Sequence, residues 1–331
     1  MTAARLAVLG AGSWGTALAI ALSPRFESVR LWARQPAHAV AMSETRENRR
    51  YLPGFLLPAQ ISVSWDLAIT LEDAAIVLSV VPSRYVRAVC ELAALHMARG
   101  ASIVSATKGL EQNTLCRMSQ AIANVLPGHA IAVLSGPTFA KEIAAGEPAA
   151  VVIASEDLTT AAEIQRAFAT PTLRFYASND VVGVELGAAL KNVIAIGAGI
   201  CRGLGLGTNS VAALVTRGLA EITRLAVTMG GQPRTLSGLA GLGDLVLTAT
   251  GDLSRNRFVG VQLGHGHELE HILAGMNMVA EGVETCCAAH QLGIRHQMDL
   301  PIINKMYEVL YEKKEPRRAI RELMERPLTM E

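Results

Sequence analysis

Short β-branched, apolar runs recur through the first half of the chain, at residues 6–9, 29–32, 76–80, 102–105, 131–134 and 151–153. Between them, residues 16–22, 84–97 and 114–126 have helical length and an apolar face. Strands alternating with such helices build βαβ units, and right-handed crossovers wind the helices onto both faces of a parallel sheet. The spacing predicts an α/β, doubly wound domain. From residue 179 onward strand-like runs disappear, leaving Ala/Leu/Gly-rich helical segments broken at residues 203–207, 230–231 and 241–243. We expect one domain over residues 1–180 and an all-helical one over 181–331. The last stretch, 312–331, is charge-rich, interrupted by Pro316 and Pro327, and expected to fray.

Residues 181–200 are the most apolar stretch, yet they contain Glu185, Lys191 and Asn192, each costly at a bilayer centre. That predicts a buried helix in place of a membrane span, with partners for its charges. The first residues carry no cleavable export pattern. Thirty Lys and Arg against 29 Asp and Glu leave no field to attract nucleic acid or an anionic membrane, so an anionic ligand must be held by local charges. Five cysteines without a C-x-x-C pair suggest neither a disulfide framework nor a thiolate zinc site, and fit a reducing, cytoplasmic compartment. His265, His267 and His271 with Glu268 sit in a polar, glycine-rich stretch without a hydrolytic partner set, and we expect no metal there.

Gly10, Gly12 and Gly15 form G-x-G-x-x-G directly after the first strand and at the mouth of a helix. In that context Gly10 makes the tight turn, Gly12 lets the backbone approach a pyrophosphate and Gly15 lets helix and strand pack. The helix N-terminus then faces the negative charge. Where an NAD-preferring fold places an acidic residue for the ribose 2′-hydroxyl, this chain has Arg34, which can hold a 2′-phosphate and stack on adenine. NADPH is expected as cofactor, with NADH as a second possibility.

Further motifs follow in order: Ser105-Ala-Thr-Lys-Gly-Leu-Glu111, Ser135-Gly-Pro-Thr-Phe-Ala-Lys-Glu142, Glu185-Leu-Gly-Ala-Ala-Leu-Lys-Asn192, and Gly241-Leu-Gly-Asp244 followed by Ser254-Arg-Asn256. With the glycine-rich segment, they make the chain resemble bacterial NAD(P)-dependent glycerol-3-phosphate dehydrogenase from the first strand to about residue 310. The resemblance implies a Rossmann domain followed by a helical domain, a homodimer, and reduction of dihydroxyacetone phosphate to sn-glycerol 3-phosphate for phospholipid synthesis.

The residues themselves suit that chemistry, because ketone reduction needs a hydride donor, a proton donor and, here, a phosphate anchor. Lys191 in an apolar helix would have its pKa lowered by desolvation, readying it as acid/base at the C2 oxygen. Asp244 can orient that ammonium from a glycine-flanked turn. Lys108 follows a strand at the carboxyl end of the sheet, where it can polarise the carbonyl. Ser254, Arg255 and Asn256 offer a hydroxyl, a planar cation and an amide to a phosphate. Each also has a plainer reading: a snorkelling lysine, an Asx-turn, a surface lysine, a solvated basic turn.

Other roles come from the resemblance alone. It adds Asn192 to the catalytic set. It places Ser13, Trp14, Lys108, Ala140, Arg255, Val279 and Glu281 against the cofactor, and Gly136 and Thr138 against the substrate. One position departs from the family: after Gly207 the run Asn209-Ser210-Val211 lacks an expected arginine, which puts an ion pair at that helix entry in doubt. Two rivals stay open at this level, a hydroxyacid-type dehydrogenase of the same plan and a non-catalytic NADPH-binding module.

Overall fold

The computed structural model describes residues 5–276 and 279–328. Its strands are β1 (Arg5–Leu9), β2 (Ser28–Trp32), β3 (Glu47–Asn48), β4 (Leu52–Leu56), β5 (Ile61–Ser64), β6 (Ala74–Ser79), β7 (Ser102–Ser105), β8 (Ile131–Ser135), β9 (Ala149–Ala154) and β10 (Leu173–Ser178). The helices among them are α1 (Ser13–Leu22), α2 (Pro36–Thr45), α3 (Leu67–Leu71), α4 (Val86–Ala94), α5 (Met118–Val125), α6 (Ala140–Ala144) and α7 (Leu158–Phe168). After them come α8 (Val181–Gly203), α9 (Thr208–Thr228), α10 (Pro233–Leu236), α11 (Asp244–Thr250), α12 (Arg255–Gly264), α13 (Leu269–Ala274), α14 (Glu281–Arg295), α15 (Pro301–Tyr311) and α16 (Pro316–Met324).

Eight strands form one sheet in the order β10-β9-β8-β7-β6-β1-β2-β5, and β3 and β4 make a separate hairpin. Leu6, Val8, Val29, Leu31 and Leu78 face one apolar layer with α1 and α2. Ala7, Leu9, Val77 and Ile103 face the other, with α4 and α5. That is the two-sided burial that a doubly wound sheet needs.

The sheet corrects the expectation of a purely parallel array: β8 and β9 pair antiparallel, so β9 and β10 run against the other six strands. Two sheet strands escaped the sequence pattern, the four-residue β5 and the edge strand β10, where Arg174 and Tyr176 face solvent and break up the apolar run. Helix α1 starts at Ser13, three residues before the expected 16–22. Of the segment 114–126 only α5 is helical, because Leu115 takes φ +61°, outside the right-handed helix. The glycines at 241–243 do not break the chain either. They form a π-helical turn, Leu239–Gly243, that runs directly into α11, so Asp244 opens a helix and lies in no Asx-turn.

Helix α8 is long and apolar enough to cross a membrane, but 94% of its most apolar window is buried inside the fold. Its two buried charges have partners. Lys191 meets Asp244 on α11, and Glu185 accepts from Arg117 and Ser119 at the start of α5. Helices α8 and α12 approach so closely that a Cβ on Gly260 would sit 1.9 Å from the Ile196 carbonyl oxygen, and one on Gly199 2.1 Å from the Arg257 carbonyl oxygen. Gly199/Gly203 facing Gly260/Gly264 thus sets the separation of these two helices. Val211, half-buried in α9, packs its aliphatic side chain against the helical core at the position where the resemblance led us to expect arginine.

Candidate active site

The loops leaving β1, β6 and β7 meet at the carboxyl edge of the sheet. Gly10 has φ +119°, and a Cβ there would lie 2.9 Å from the Val80 carbonyl oxygen, so only glycine fits the turn. A Cβ on Gly15 would come within 1.9 Å of the Gly10 carbonyl oxygen, which explains the third glycine as a helix–strand contact. Gly12 differs: nothing lies within 4 Å of where its Cβ would be. It is the N-cap of α1 and supplies no side-chain cap, so the first N–H groups of Ser13, Trp14 and Gly15 point into an open cradle. The indole Nε1 of Trp14 is buried without a partner among the described residues. An open glycine, an uncapped helix N-terminus and an orphaned donor fit a dinucleotide pyrophosphate.

Arg34 lies just past β2, exposed, with its guanidinium 5.2 Å from the centre of the Tyr85 ring. Two residues near it had no sequence signal. Arg50, in the β3–β4 turn, bonds Gln35 Oε1 at 3.1 Å and stacks over Tyr51. Asn48, fully buried, donates to the Ala11 carbonyl and to Thr16 Oγ1, tying this hairpin to the glycine-rich turn. A second cation therefore stands at the edge where a 2′-phosphate would lie.

The chemical centre is a carboxylate shared by two ammonium groups. Lys191 Nζ donates to Asp244 Oδ1 at 2.7 Å, and Lys108 Nζ donates to Asp244 Oδ2 at 2.6 Å. Lys191 and Asp244 are 4% and 1% exposed, while Lys108 is more open. Lys191 also donates to Thr248 Oγ1 at 2.5 Å, whose hydroxyl donates to the Asp244 carbonyl one helical turn back. Thr248 carried no motif, though its i+4 spacing from Asp244 on a helix was the available signal. Burial pushes the Lys191 pKa down to about 7, against the pull of Asp244, and the nearby charge of Lys108 lowers it further.

Lys108 Nζ also reaches the Gly136 carbonyl at 3.1 Å, and Thr138 Oγ1 donates to the same oxygen. Ala140 opens α6, which packs on α1 and so lies beside the glycine-rich turn. The structure thus brings Lys108, Gly136, Thr138, Lys191, Asp244 and Thr248 together around one carboxylate.

Ser254 to Asn256 open α12 on its glycine contact with α8. Ser254 Oγ caps the helix by accepting from Arg257 N, so its oxygen already has one local bond. Arg255 donates to the Val279 carbonyl at 2.9 Å, and Asn256 Oδ1 accepts from Gly282 N. These bonds lock the start of α12 to the start of α14, where Glu281 stands, and Gly282 fits tightly under the Asn192 carbonyl. Arg257 turns away to Asp252. Burial raises the Glu281 pKa to about 7, opposed by Arg255, Lys108 and Lys191, so its carboxyl shares the field of the two lysines. Asn192 is buried and makes no side-chain hydrogen bond among the described residues. Met278, part of the motif before Val279, lies outside the described residues.

Residues 5–161 match the family model for the NAD-dependent glycerol-3-phosphate dehydrogenase N-terminus, and residues 180–321 the model for its C-terminus. The glycerol-3-phosphate dehydrogenase [NAD(P)+] of Koribacter versatilis is 52% identical over 332 residues, covering 99% of this chain and 98% of its own. That of Geobacter sp. strain M21 is 50% identical over 332 residues, with 99% of both chains covered. The crystal structure of glycerol-3-phosphate dehydrogenase from Coxiella burnetii superposes with a TM-score of 0.95 at 37% identity, covering 98% of this chain and 100% of that one. This chain belongs to the NAD-dependent glycerol-3-phosphate dehydrogenase family.

Proposed function

We propose that this protein reduces dihydroxyacetone phosphate to sn-glycerol 3-phosphate, with Lys191 as the acid/base. The observation that carries the reading is the Lys108–Asp244–Lys191 arrangement beside the start of α12. The cradle of Gly10, Gly12, Ser13, Trp14 and Gly15 would hold the dinucleotide, with Arg34 and Arg50 for a 2′-phosphate and Ala140, Lys108, Arg255, Val279 and Glu281 as further cofactor contacts. Bound there, NADPH, or NADH less favourably, supplies the hydride for C2.

The rest of the chemistry belongs to the chain. The substrate phosphate rests on the N-terminus of α12, with Ser254, Arg255 and Asn256 supplying hydroxyl, guanidinium and amide. Gly136, Thr138 and Asn192 border the carbonyl end. Lys108 leans positive charge toward the carbonyl oxygen. Lys191, with a pKa near the working pH, delivers its proton to that oxygen as C2 is reduced, and takes it back in the reverse direction. Asp244 and Thr248 hold the ammonium in place through both.

This reading divides the chain into a cofactor domain, residues 1–180, and a helical substrate domain, 181–331. It also takes the enzyme as a cytoplasmic homodimer serving phospholipid synthesis; its five free thiols suit a reducing compartment. The test is the loss of NADPH absorbance on adding dihydroxyacetone phosphate, then dihydroxyacetone. Fast loss with the phosphorylated ketone alone supports both the reaction and the anchor, and no loss with either, or with NADH, removes the reading.

A further inference from the structure

The N-cap position of α5 is occupied by Arg117, whose guanidinium cannot accept a hydrogen bond. The orphan N–H of Ser119 in the first turn is satisfied from another helix. Glu185 of α8 accepts from Ser119 N at 2.7 Å, from Ser119 Oγ at 2.6 Å and from Arg117 Nη1 at 2.6 Å, all buried. Gln120 Oε1 accepts from Arg117 N and closes the same turn.

This knot lies between the two elements that deliver the active-site lysines. Residues 106–117 connect β7 to α5, and the Leu110–Arg117 bridge with Glu111 N to Cys116 O closes residues 110–117 into a loop that begins two residues after Lys108. Arg117 stands at its end. Glu185 is six residues before Lys191, about 9 Å along the same helix at 1.5 Å per residue. Elsewhere loop and helix meet through Leu110 and Leu115 against the apolar face of α8, with Leu186, Leu190 and Val193 in the same cluster. Apolar packing is non-directional and tolerates sliding, whereas three buried hydrogen bonds fix one register.

We propose that Glu185 is a positioning residue that sets the register of the Lys108 loop on α8, so that Lys108 and Lys191 converge on the two oxygens of Asp244. It touches neither substrate nor cofactor. The inference rests on the lysine chemistry proposed above. Loss of the Glu185 tie lets the loop shift and Lys108 leave Asp244. Lys191 then feels Asp244 and Glu281 with less opposing charge, and holds its proton to higher pH.

The test compares Glu185→Gln with the double variant Arg117→Met/Glu185→Met, because a buried ion pair can be replaced by apolar side chains without loss of stability, while a lone buried charge cannot. Melting temperature, kcat, KM for NADPH and the pH profile of kcat are measured for both, beside wild type and Lys191→Ala. We expect kcat to fall on the order of 10²-fold in each, as for a misplacement of about 1 Å. KM for NADPH should stay unchanged and the alkaline limb of kcat should move to higher pH. The double variant, rid of the lone buried charge but with Ser119 N left unpaired, should keep these defects while melting above Glu185→Gln. Recovery of kcat and of the limb along with stability in the double variant would make Glu185 merely structural and overturn the inference. Should Glu185→Gln fail to fold, the double variant decides alone. An alkaline limb that persists unchanged in Lys191→Ala removes the lysine reading itself, and this inference with it.

Discussion

Lys191 Nζ lies 2.7 Å from Oδ1 of Asp244, a contact between residues 53 positions apart that joins the middle of α8 to the first residue of α11. An ammonium in so dry a place, with a second cation on the other carboxylate oxygen, loses its proton far more readily than a surface lysine. That is the property a proton donor for a ketone needs near neutrality.

Reduction should therefore follow the protonated form of Lys191. Its pKa is about 7, so kcat for ketone reduction falls as pH rises through that value, while kcat for the reverse oxidation rises through it. Glu281 is also brought to about 7 and shares the field of both lysines, so the profile reports a coupled set. Stopped-flow or steady-state profiles of wild type and Glu281→Gln separate the two. The limb stays near neutrality without the Glu281 carboxyl if Lys191 is its source, and disappears if Glu281 is.

Cofactor choice should rest on Arg34, just past β2, and Arg50, which the β3–β4 turn brings to Gln35 beside it. Replacing Arg34 by Gln removes a charge-assisted contact worth about 1.5–3 kcal/mol, which raises KM for NADPH roughly ten- to a hundredfold. NADH kinetics should not change. Arg50→Gln should act in the same direction, since its guanidinium sits on Gln35, next in sequence to Arg34. Equal effects on both cofactors would mean that these arginines do not meet the 2′-phosphate.

The spacing of α8 and α12 should matter to substrate as well as stability. In Gly260→Ala the new methyl meets the Ile196 carbonyl oxygen at 1.9 Å unless the helices part. Overpacking of this kind costs about 1–3 kcal/mol. Because α12 carries Arg255 and Asn256, its displacement should raise KM for dihydroxyacetone phosphate more than KM for NADPH. A drop in melting temperature with both KM values unchanged would separate the phosphate anchor from this contact.

Much of this was legible in the residues. The β-branched runs at β1, β2, β6, β7 and β8 fix their own strands, Gly10 and Gly15 fill the roles that turn and helix–strand geometry assign, and Gly12 faces open space. The apolar stretch of α8 announced its burial, and the two charges inside it announced partners. What was not legible is what distance along the chain conceals. No local pattern states that β9 reverses direction, since the path of the connecting segment decides it. The helical pattern over residues 114–126 breaks where Leu115 turns to positive φ, so only α5 within it is helical. Asp244 and Lys191 were each recognisable as candidates, but their contact comes only from the packing of α8 against α11, and the place of Lys108 on the same carboxylate only from how the β7–α5 loop folds over it. Thr248 and Arg50 act through neighbours in space and leave no sequence motif.

The most direct test of this account is kcat of Lys191→Ala, measured with NADPH and dihydroxyacetone phosphate on protein whose melting temperature and NADPH affinity match wild type. Loss of a general acid in this position predicts a fall of about 10²–10⁴-fold. A fall of only a few-fold, with the same neutral-pH limb as wild type, would contradict the assignment of Lys191 as the proton donor.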